Sequence, residues 1–137
     1  MQIVPYLFLG GASEEAMTFY QQVLGGELQI SRFSDMPDPE VEFTQEDASR
    51  VMHAQLVWDQ GMLMASDGCP SDPPRPMDGC SVMLSFDDLD RARQVYESLG
   101  EGGTVIMAWE PTFWARGFGM FKDRFGVSWM VNASASN

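Results

Sequence analysis

His53 is the only histidine in the chain, and it stands in the alternating segment Val51 to Trp58, on the side that also carries Val51, Gln55 and Val57. An imidazole in that setting can serve as a general base or as a hydrogen-bonding partner for a ligand near neutral pH. It can equally be a hydrogen-bonded structural group. Asp67 ends the next apolar run on the parity of Leu63 and Ala65, where it would look into the same cup as an acid, assisted by Ser66, or cap the proline-rich segment that follows. Phe113, Trp114, Phe118, Trp129 and Met130 crowd one stretch, and aromatic walls with methionine suit an apolar ligand, a core or a dimer interface. Tyr6 and Phe8 in the opening strand, with His53 and Gln55, complete the set expected to line a ligand site. Arg116, placed in the loop before the closing hairpin, could greet an anionic ligand or form a surface ion pair. Cys69 and Cys80 have no neighbouring base or cation cluster to depress a thiol pKa, and their spacing is that of neither a zinc site nor a disulfide scaffold. Both read as reduced thiols.

The elements that must hold these residues follow from periodicity. Ile3 to Leu9 is apolar almost throughout, as in a strand covered on both faces, and ends at Gly10-Gly11. Ser13 can cap a helix with Glu14 and Glu15 in its first turn, with Ala16, Phe19, Tyr20 and Val23 on its buried stripe and Gly25-Gly26 as its stop. Leu28 to Ser31 reads as a second strand. Ser34 to Arg50, carrying Pro37, Pro39 and the acids Asp35, Asp38, Glu40, Glu42, Glu46 and Asp47, reads as a solvated loop rather than a metal-binding patch. Val51 to Trp58 and Met62 to Ser66 form a hairpin around Asp59-Gln60-Gly61. Asp67 to Gly79, with Pro70, Pro73, Pro74 and Pro76, is a rim or linker segment.

The order then repeats. Ser81 to Phe86 is a strand, Asp87 caps a helix with Leu89, Ala92, Tyr96 and Leu99 buried, Thr104 to Trp109 is a strand, and Phe118 to Asp123 pairs with Val127 to Asn132 around Asp123-Arg124-Phe125-Gly126. Ala16, Phe19, Tyr20 and Val23 superpose on Ala92, Val95, Tyr96 and Leu99, and Asp59-Gln60-Gly61 with Met62 to Asp67 superposes on Arg124-Phe125-Gly126 with Val127 to Asn132. The pattern predicts an α+β fold of two tandem βαβββ modules, residues 1–70 and 71–137 of a single domain, with outer helices and concave mixed sheets. Such modules should pack together and enclose a trough that is the natural ligand site.

Bulk properties narrow the function classes. Twenty acidic against eight basic side chains, a formal charge of −12, would repel a phosphate backbone, so nucleic-acid binding is not expected. The apolar opening MQIVPYLFLGG lacks a basic leader and is far shorter than the roughly 20 residues needed to cross a bilayer. No membrane association is expected, and a cytoplasmic location follows by default.

The opening PYLFLGGASEEAMTFYQQVLGGEL, the middle HAQLVWDQGMLMASD and the closing FWARGFGMFKDRFGVSWMVN together resemble the vicinal oxygen chelate superfamily. That superfamily includes glyoxalase I, extradiol dioxygenases and the bleomycin and fosfomycin resistance proteins. More closely, the chain is similar to the PhnB-like, 3-demethylubiquinone methyltransferase-like branch. In the superfamily's metal-dependent members, ligands sit in the first and last strands of each half; carried over here, those places are Pro5 and Ser81, Ala65 and Met130. A register error of one residue would bring in Tyr6, Cys80, Ser66 or Trp129. Neither group makes a ligand set for a divalent ion. No glycine-rich strand-to-helix loop followed by an acidic residue is present for an adenosine cofactor, so no cofactor is expected.

The resemblance implies a metal-independent protein that binds a small organic molecule and forms a homodimer. Two alternatives remain: an enzyme of lyase or isomerase type using His53 as general base with Asp67 or Ser66 assisting, and a metal-dependent enzyme with displaced ligands drawn from His53, Asp67 and the acidic loop.

Overall fold

The computed structural model describes residues 1–36, 43–69 and 75–135. The chain divides into two compact units, Met1–Arg75 and Pro76–Asn137. Of the residues singled out above, Pro37, Asp38, Pro39, Glu40, Glu42, Pro70, Pro73 and Pro74 lie outside the described residues.

In the first unit, strand β1 (Tyr6–Phe8) leads to helix α1 (Ser13–Leu24), then β2 (Glu27–Arg32), a short helix α2 (Gln45–Ser49), β3 (Val51–Trp58) and β4 (Gly61–Ser66). The four strands form a mixed sheet in the order β1-β4-β3-β2, with β1 parallel to β4 and the other pairs antiparallel. Helix α1 forms where the apolar positions recur at helical spacing; it buries Ala16, Met17 and Tyr20 against one sheet face. On the same side of the sheet Leu7, Ala54, Leu56, Leu63 and Ala65 are buried. The helix ends at Gly25 and Gly26, both at positive φ. A Cβ on Gly26 would stand 2.8 Å from the Val57 carbonyl oxygen, so only glycine allows the chain to pass there. Trp58 finishes the helix by donating its indole N–H to the Leu24 carbonyl at 3.2 Å.

Two local expectations are corrected in this unit. Ser13 is the first helical residue rather than the cap: Ala12 occupies the cap position and offers no side-chain bond. The orphan amides are met from elsewhere, by Asp67. The loop expected over residues 34–50 contains a 3-10 turn (Phe33–Asp35) and α2, which Thr44 caps by accepting from the Asp47 amide. Phe33 and Phe43 pack with ring centroids 5.5 Å apart, an apolar tie that the acidic composition hides.

In the second unit, β5 (Val82–Phe86), α3 (Leu89–Leu99), β6 (Thr104–Glu110), β7 (Ala115–Lys122) and β8 (Ser128–Ser134) repeat the plan, with strand order β5-β8-β7-β6. Asp88, not Asp87, caps α3 by accepting from the Arg91 amide at 3.0 Å. Ala92, Val95, Tyr96 and Leu99 are buried against the sheet. Gly119 makes this possible, because a Cβ there would run into the Tyr96 ring. Arg116 lies on β7 rather than in a loop, and its guanidinium donates to the Ser134 carbonyl at 2.7 Å and to the Asp87 carbonyl. It closes the end of the sheet instead of waiting for an anion.

The residue-for-residue superposition of the two hairpins is also corrected. It lays Ala65 on Met130, yet Ala65 is on the helix-covered face, while in β8 the covered residues are Trp129, Val131 and Ala133. Two residues separate the paired Trp58 and Gly61, whereas three separate Asp123 from Val127, whose carbonyl accepts from the Asp123 amide at 2.8 Å. The second turn is one residue longer, and the side-preserving match is Met64 with Met130.

Candidate functional site

The face of the first sheet opposite α1 carries the side chains of Tyr6 and Phe8, which are 41% and 66% exposed, together with Gln29, Ser31, His53, Gln55 and Met64. Register sets them in rows. Tyr6 pairs with Met64, Met64 with Gln55 and Gln55 with Gln29, so one row crosses all four strands. Ser31 pairs with His53 beside it. An irregularity between Ser31 and Arg32 lets Arg32 pair with Val51, and this breaks the strict alternation expected of β3. Val51 is consequently buried, not on the open face with His53.

Hydrogen bonds join these polar groups. The Tyr6 hydroxyl lies 2.9 Å from His53 Nδ1. His53 Nε2 lies 3.3 Å from Gln55 Oε1, and the Gln55 amide nitrogen donates to Gln29 Oε1 at 3.3 Å. The Tyr6 ring stacks obliquely on His53 and on Phe8, with centroids 5.7 and 5.3 Å away. Burial raises the Tyr6 pKa above its ordinary value, against the opposing effect of the Ser66 hydroxyl, so the phenol holds its proton. The arrangement can bind a ligand through hydrogen bonds at one end and an apolar floor at the other.

Asp67 sits apart from this row. One carboxylate oxygen accepts from the Gly11 and Ser13 amides at 2.9 and 3.0 Å, and the other from the Val51 amide at 2.8 Å. Burial works to raise its pKa, but the bonds from Val51, Ser13 and Gly11 outweigh it, and the pKa lies below the ordinary carboxylate value. The group ties the start of α1 to the start of β3.

On the second sheet the face opposite α3 bears a different row. Met83 pairs with Met130, Met130 with Met120 and Met120 with Met107, so four methionines lie side by side across four strands. In the neighbouring row, the Asn132 amide donates to the Ser85 hydroxyl at 3.0 Å, and Phe118 pairs with Asn132. Phe113, Trp114 and Phe118 form an edge-to-face series with centroids 4.9 and 5.3 Å apart. Trp129 faces the other way. It is 1% exposed on the helix-covered side, and its indole N–H donates to the Asp123 carboxylate at 2.8 Å. Of the sequence-derived residues, Tyr6, Phe8, His53 and Gln55 therefore share one face of the first sheet, while Met130 and the buried Phe118 lie on the face of the second sheet opposite α3. Gln29 and the methionine row were missed, because cross-strand register is not written in any local window.

Among the described residues, no three His, Cys, Asp or Glu side chains are grouped to hold a metal ion. The open-face residues of the opening and closing strands are Tyr6 and Met64 in one unit, Met83 and Met130 in the other. A phenol that keeps its proton and three thioethers do not suit a divalent ion of the kind that carboxylates and imidazoles hold. A shallow hollow of about 460 Å³ lies at another corner of the first unit, lined by Gly26, Glu27, Val57, Trp58, Asp59 and Gln60. It contains none of the chemistry above. Among the described residues, no helix is long and apolar enough to cross a membrane.

Comparison with known proteins agrees with this architecture. Residues 2–131 match the model of the Glyoxalase/Bleomycin resistance protein/Dioxygenase superfamily. The chain is 33% identical over 141 residues to protein YjdN of Escherichia coli (strain K12), covering 96% of this chain and 95% of that one. The crystal structure of protein PA1353 from Pseudomonas aeruginosa is similar at 44% identity and a TM-score of 0.90, covering 99% of each chain. The PhnB protein from Bacillus cereus is similar at 25% identity and a TM-score of 0.72, covering 98% of this chain and 100% of its own. TnmS3, an antibiotic binding protein from Streptomyces sp. CB03234, shares the fold at 21% identity and a TM-score of 0.55, over 98% of each chain. With two βαβββ units and this match over nearly its whole length, the chain belongs to the glyoxalase/bleomycin resistance protein/dioxygenase superfamily.

Proposed function

We propose that this protein binds a small, largely apolar organic molecule against the open face of its first sheet, without help from a metal ion. The observation that carries the reading is the hydrogen-bonded series Tyr6, His53, Gln55 and Gln29 on a face that α1 leaves uncovered. Phe8 and Met64 supply the apolar floor beside it. Few convergent polar groups among apolar ones is the usual make-up of a small-molecule site. Metal independence is supported by two observations: among the described residues no three His, Cys, Asp or Glu side chains are grouped, and the open-face positions of the opening and closing strands, Tyr6, Met64, Met83 and Met130, offer neither carboxylate nor imidazole. TnmS3, an antibiotic binding protein by its description, is one use of this fold for binding. Asp67 is left out of the site, since both of its oxygens already accept backbone amides.

The test is an amide-NMR screen with several hundred neutral aromatic fragments, run with and without EDTA. Hits should perturb Tyr6, Phe8, His53, Gln55 and Met64 in both conditions. Hits confined to the hollow around Trp58, or lost with EDTA, would defeat the proposal.

The Tyr6–His53 contact also favours a second reading, turnover with His53 as general base. A His53→Ala variant that still binds its ligand but converts none of it would support that reading. We further propose that two copies associate. Val105, Ile106 and Met107 on edge strand β6 are all exposed, and such an edge invites cover. Sedimentation at micromolar concentration should report twice the 15.3 kDa chain mass. Cys69 and Cys80, both exposed thiols, support a reducing, cytoplasmic setting.

A further inference from the structure

We infer that the side-chain amides of Gln55 and Gln29 hold His53 as its Nε2–H tautomer, so that Tyr6 points its proton at the ring and offers a ligand only an oxygen lone pair. This deepens the binding proposal for the first sheet: the ligand group that meets Tyr6 is a hydrogen-bond donor, a hydroxyl or an amine, and not a carbonyl or an oxyanion.

The argument runs along the series from its outer end. Gln55 donates through its amide nitrogen to Gln29 Oε1, which leaves its own oxygen, 3.3 Å from His53 Nε2, as the partner of the ring. An amide oxygen only accepts, so Nε2 must carry the hydrogen. In a neutral ring the other nitrogen is then an acceptor. Tyr6 Oη lies 2.9 Å from that nitrogen, and its raised pKa keeps the phenol protonated, so the phenol donates. The Ser66 hydroxyl beside Oη takes up one of its lone pairs, and the other remains for a donor from outside. Each bond in the series fixes the direction of the next, and a residue exposed on β2 thereby sets the polarity of a hydroxyl on β1.

Tyr6 is the group that touches the ligand, and Gln55 and Gln29 are positioning residues.

Because His53 is the only histidine, long-range ¹H–¹⁵N NMR of the untagged chain reads its tautomer without assignment. At pH 8.5 the spectrum should show a protonated Nε2 and an accepting Nδ1. Gln55→Glu, which can only accept, should leave the pattern unchanged. Gln55→Lys, which can only donate, should invert it to Nδ1–H. A wild-type ring protonated at Nδ1 overturns the inference, as does a folded Gln55→Lys variant that keeps the wild-type pattern. If Gln55→Lys does not fold, Tyr6→Phe decides: the Nδ1 resonance should move to its unbonded position with Nε2 still protonated, and an unmoved resonance overturns the inference.

Phenol and acetophenone serve as matched neutral probes. Phenol, which donates, should bind about ten-fold more tightly than acetophenone, the worth of roughly one net hydrogen bond, and Gln55→Lys should erase the preference. Equal affinities in the wild type overturn the ligand part of the inference. The expected tautomer with neither probe bound would count against the binding proposal alone, and both probes bound over the opposite tautomer would count against this inference alone.

Discussion

Replacing Asp67 with asparagine tests whether this carboxylate is a structural tie or a spare acid. The wild-type group accepts three backbone amides, from Gly11, Ser13 and Val51, at 2.8 to 3.0 Å, and it is 5% exposed. Asparagine keeps one oxygen, which can still accept from Gly11 and Ser13, but it turns an NH₂ toward the Val51 amide. Two neutral bonds then replace charge-assisted ones, and a buried donor faces another donor. With bonds to charged groups worth about 1.5–3 kcal/mol and an unmet buried donor costing about 1–3 kcal/mol, the expected loss is about 3 kcal/mol. For a chain of this size that corresponds to a fall in Tm on the order of 10 °C.

The pH dependence has a definite sign. The folded pKa of Asp67 lies below its unfolded value, so its stabilisation is present above the unfolded pKa and is lost as pH falls through the folded one. The wild type and Asp67→Asn should therefore differ most near neutrality and converge below about pH 4. Urea unfolding at pH 7 and pH 3 measures the difference, and hydrogen exchange locates it: the Gly11, Ser13 and Val51 amides should lose protection before their neighbours. If Asp67 were a free acid waiting for substrate, the variant would keep its Tm within a degree or two and those three amides would exchange as before. Either result would refute the structural assignment.

Gly119→Ala should destabilise by about 2 kcal/mol in thermal unfolding, since the added methyl meets the Tyr96 ring, which is held in place by its bond to the Met107 carbonyl at 3.1 Å. Trp129→Phe should cost about 2 kcal/mol in urea, through the loss of the 2.8 Å indole bond to the buried Asp123 carboxylate; an effect under 0.5 kcal/mol would show that the carboxylate has another way to be satisfied. Under mild peroxide, peptide mass spectrometry should find Met83 and Met107, 55% and 44% exposed, oxidised well before Met17, which is fully buried; oxidation in any other order would contradict the open methionine row.

Much of the fold is legible from spacing alone, because α1, α3 and the hairpin β3–β4 are each specified within about 15 residues by apolar period and glycine stops. What escapes the sequence is whatever depends on partners far along the chain. Asp67 completes a helix start 54 and 56 residues away, so a local reading sees only an acid at a strand end, and Ser13 is credited with a cap it does not make. Trp129 is misplaced onto the ligand side for a related reason. Its environment depends on which face of β8 meets α3, and one extra residue in the preceding turn shifts that parity relative to β4. Val51 suffers the same fate through the irregularity opposite Ser31 and Arg32.

The two open-face rows show how this limit bears on function. In the side-preserving superposition, Tyr6, Met64, Gln55 and Gln29 of one sheet correspond to Met83, Met130, Met120 and Met107 of the other. The methionine is common to both rows only in the closing strand. Everywhere else a hydrogen-bonding group in the first unit stands where the second has a thioether. The backbone plan is the same in both, with a helix on one side and an open face on the other, so the difference lies in chemistry. A row of flexible, polarisable side chains can conform to many apolar shapes but fixes no hydrogen-bond direction. A series of phenol, imidazole and amides linked across two adjacent rows does the reverse, because each member constrains the next. The duplicated fold thus carries one face of apolar thioethers and one of linked hydrogen-bonding groups; in the second the imidazole stands two residues from Gln55 on the same strand, and only the register of β2 against β3 brings Gln29 to that amide.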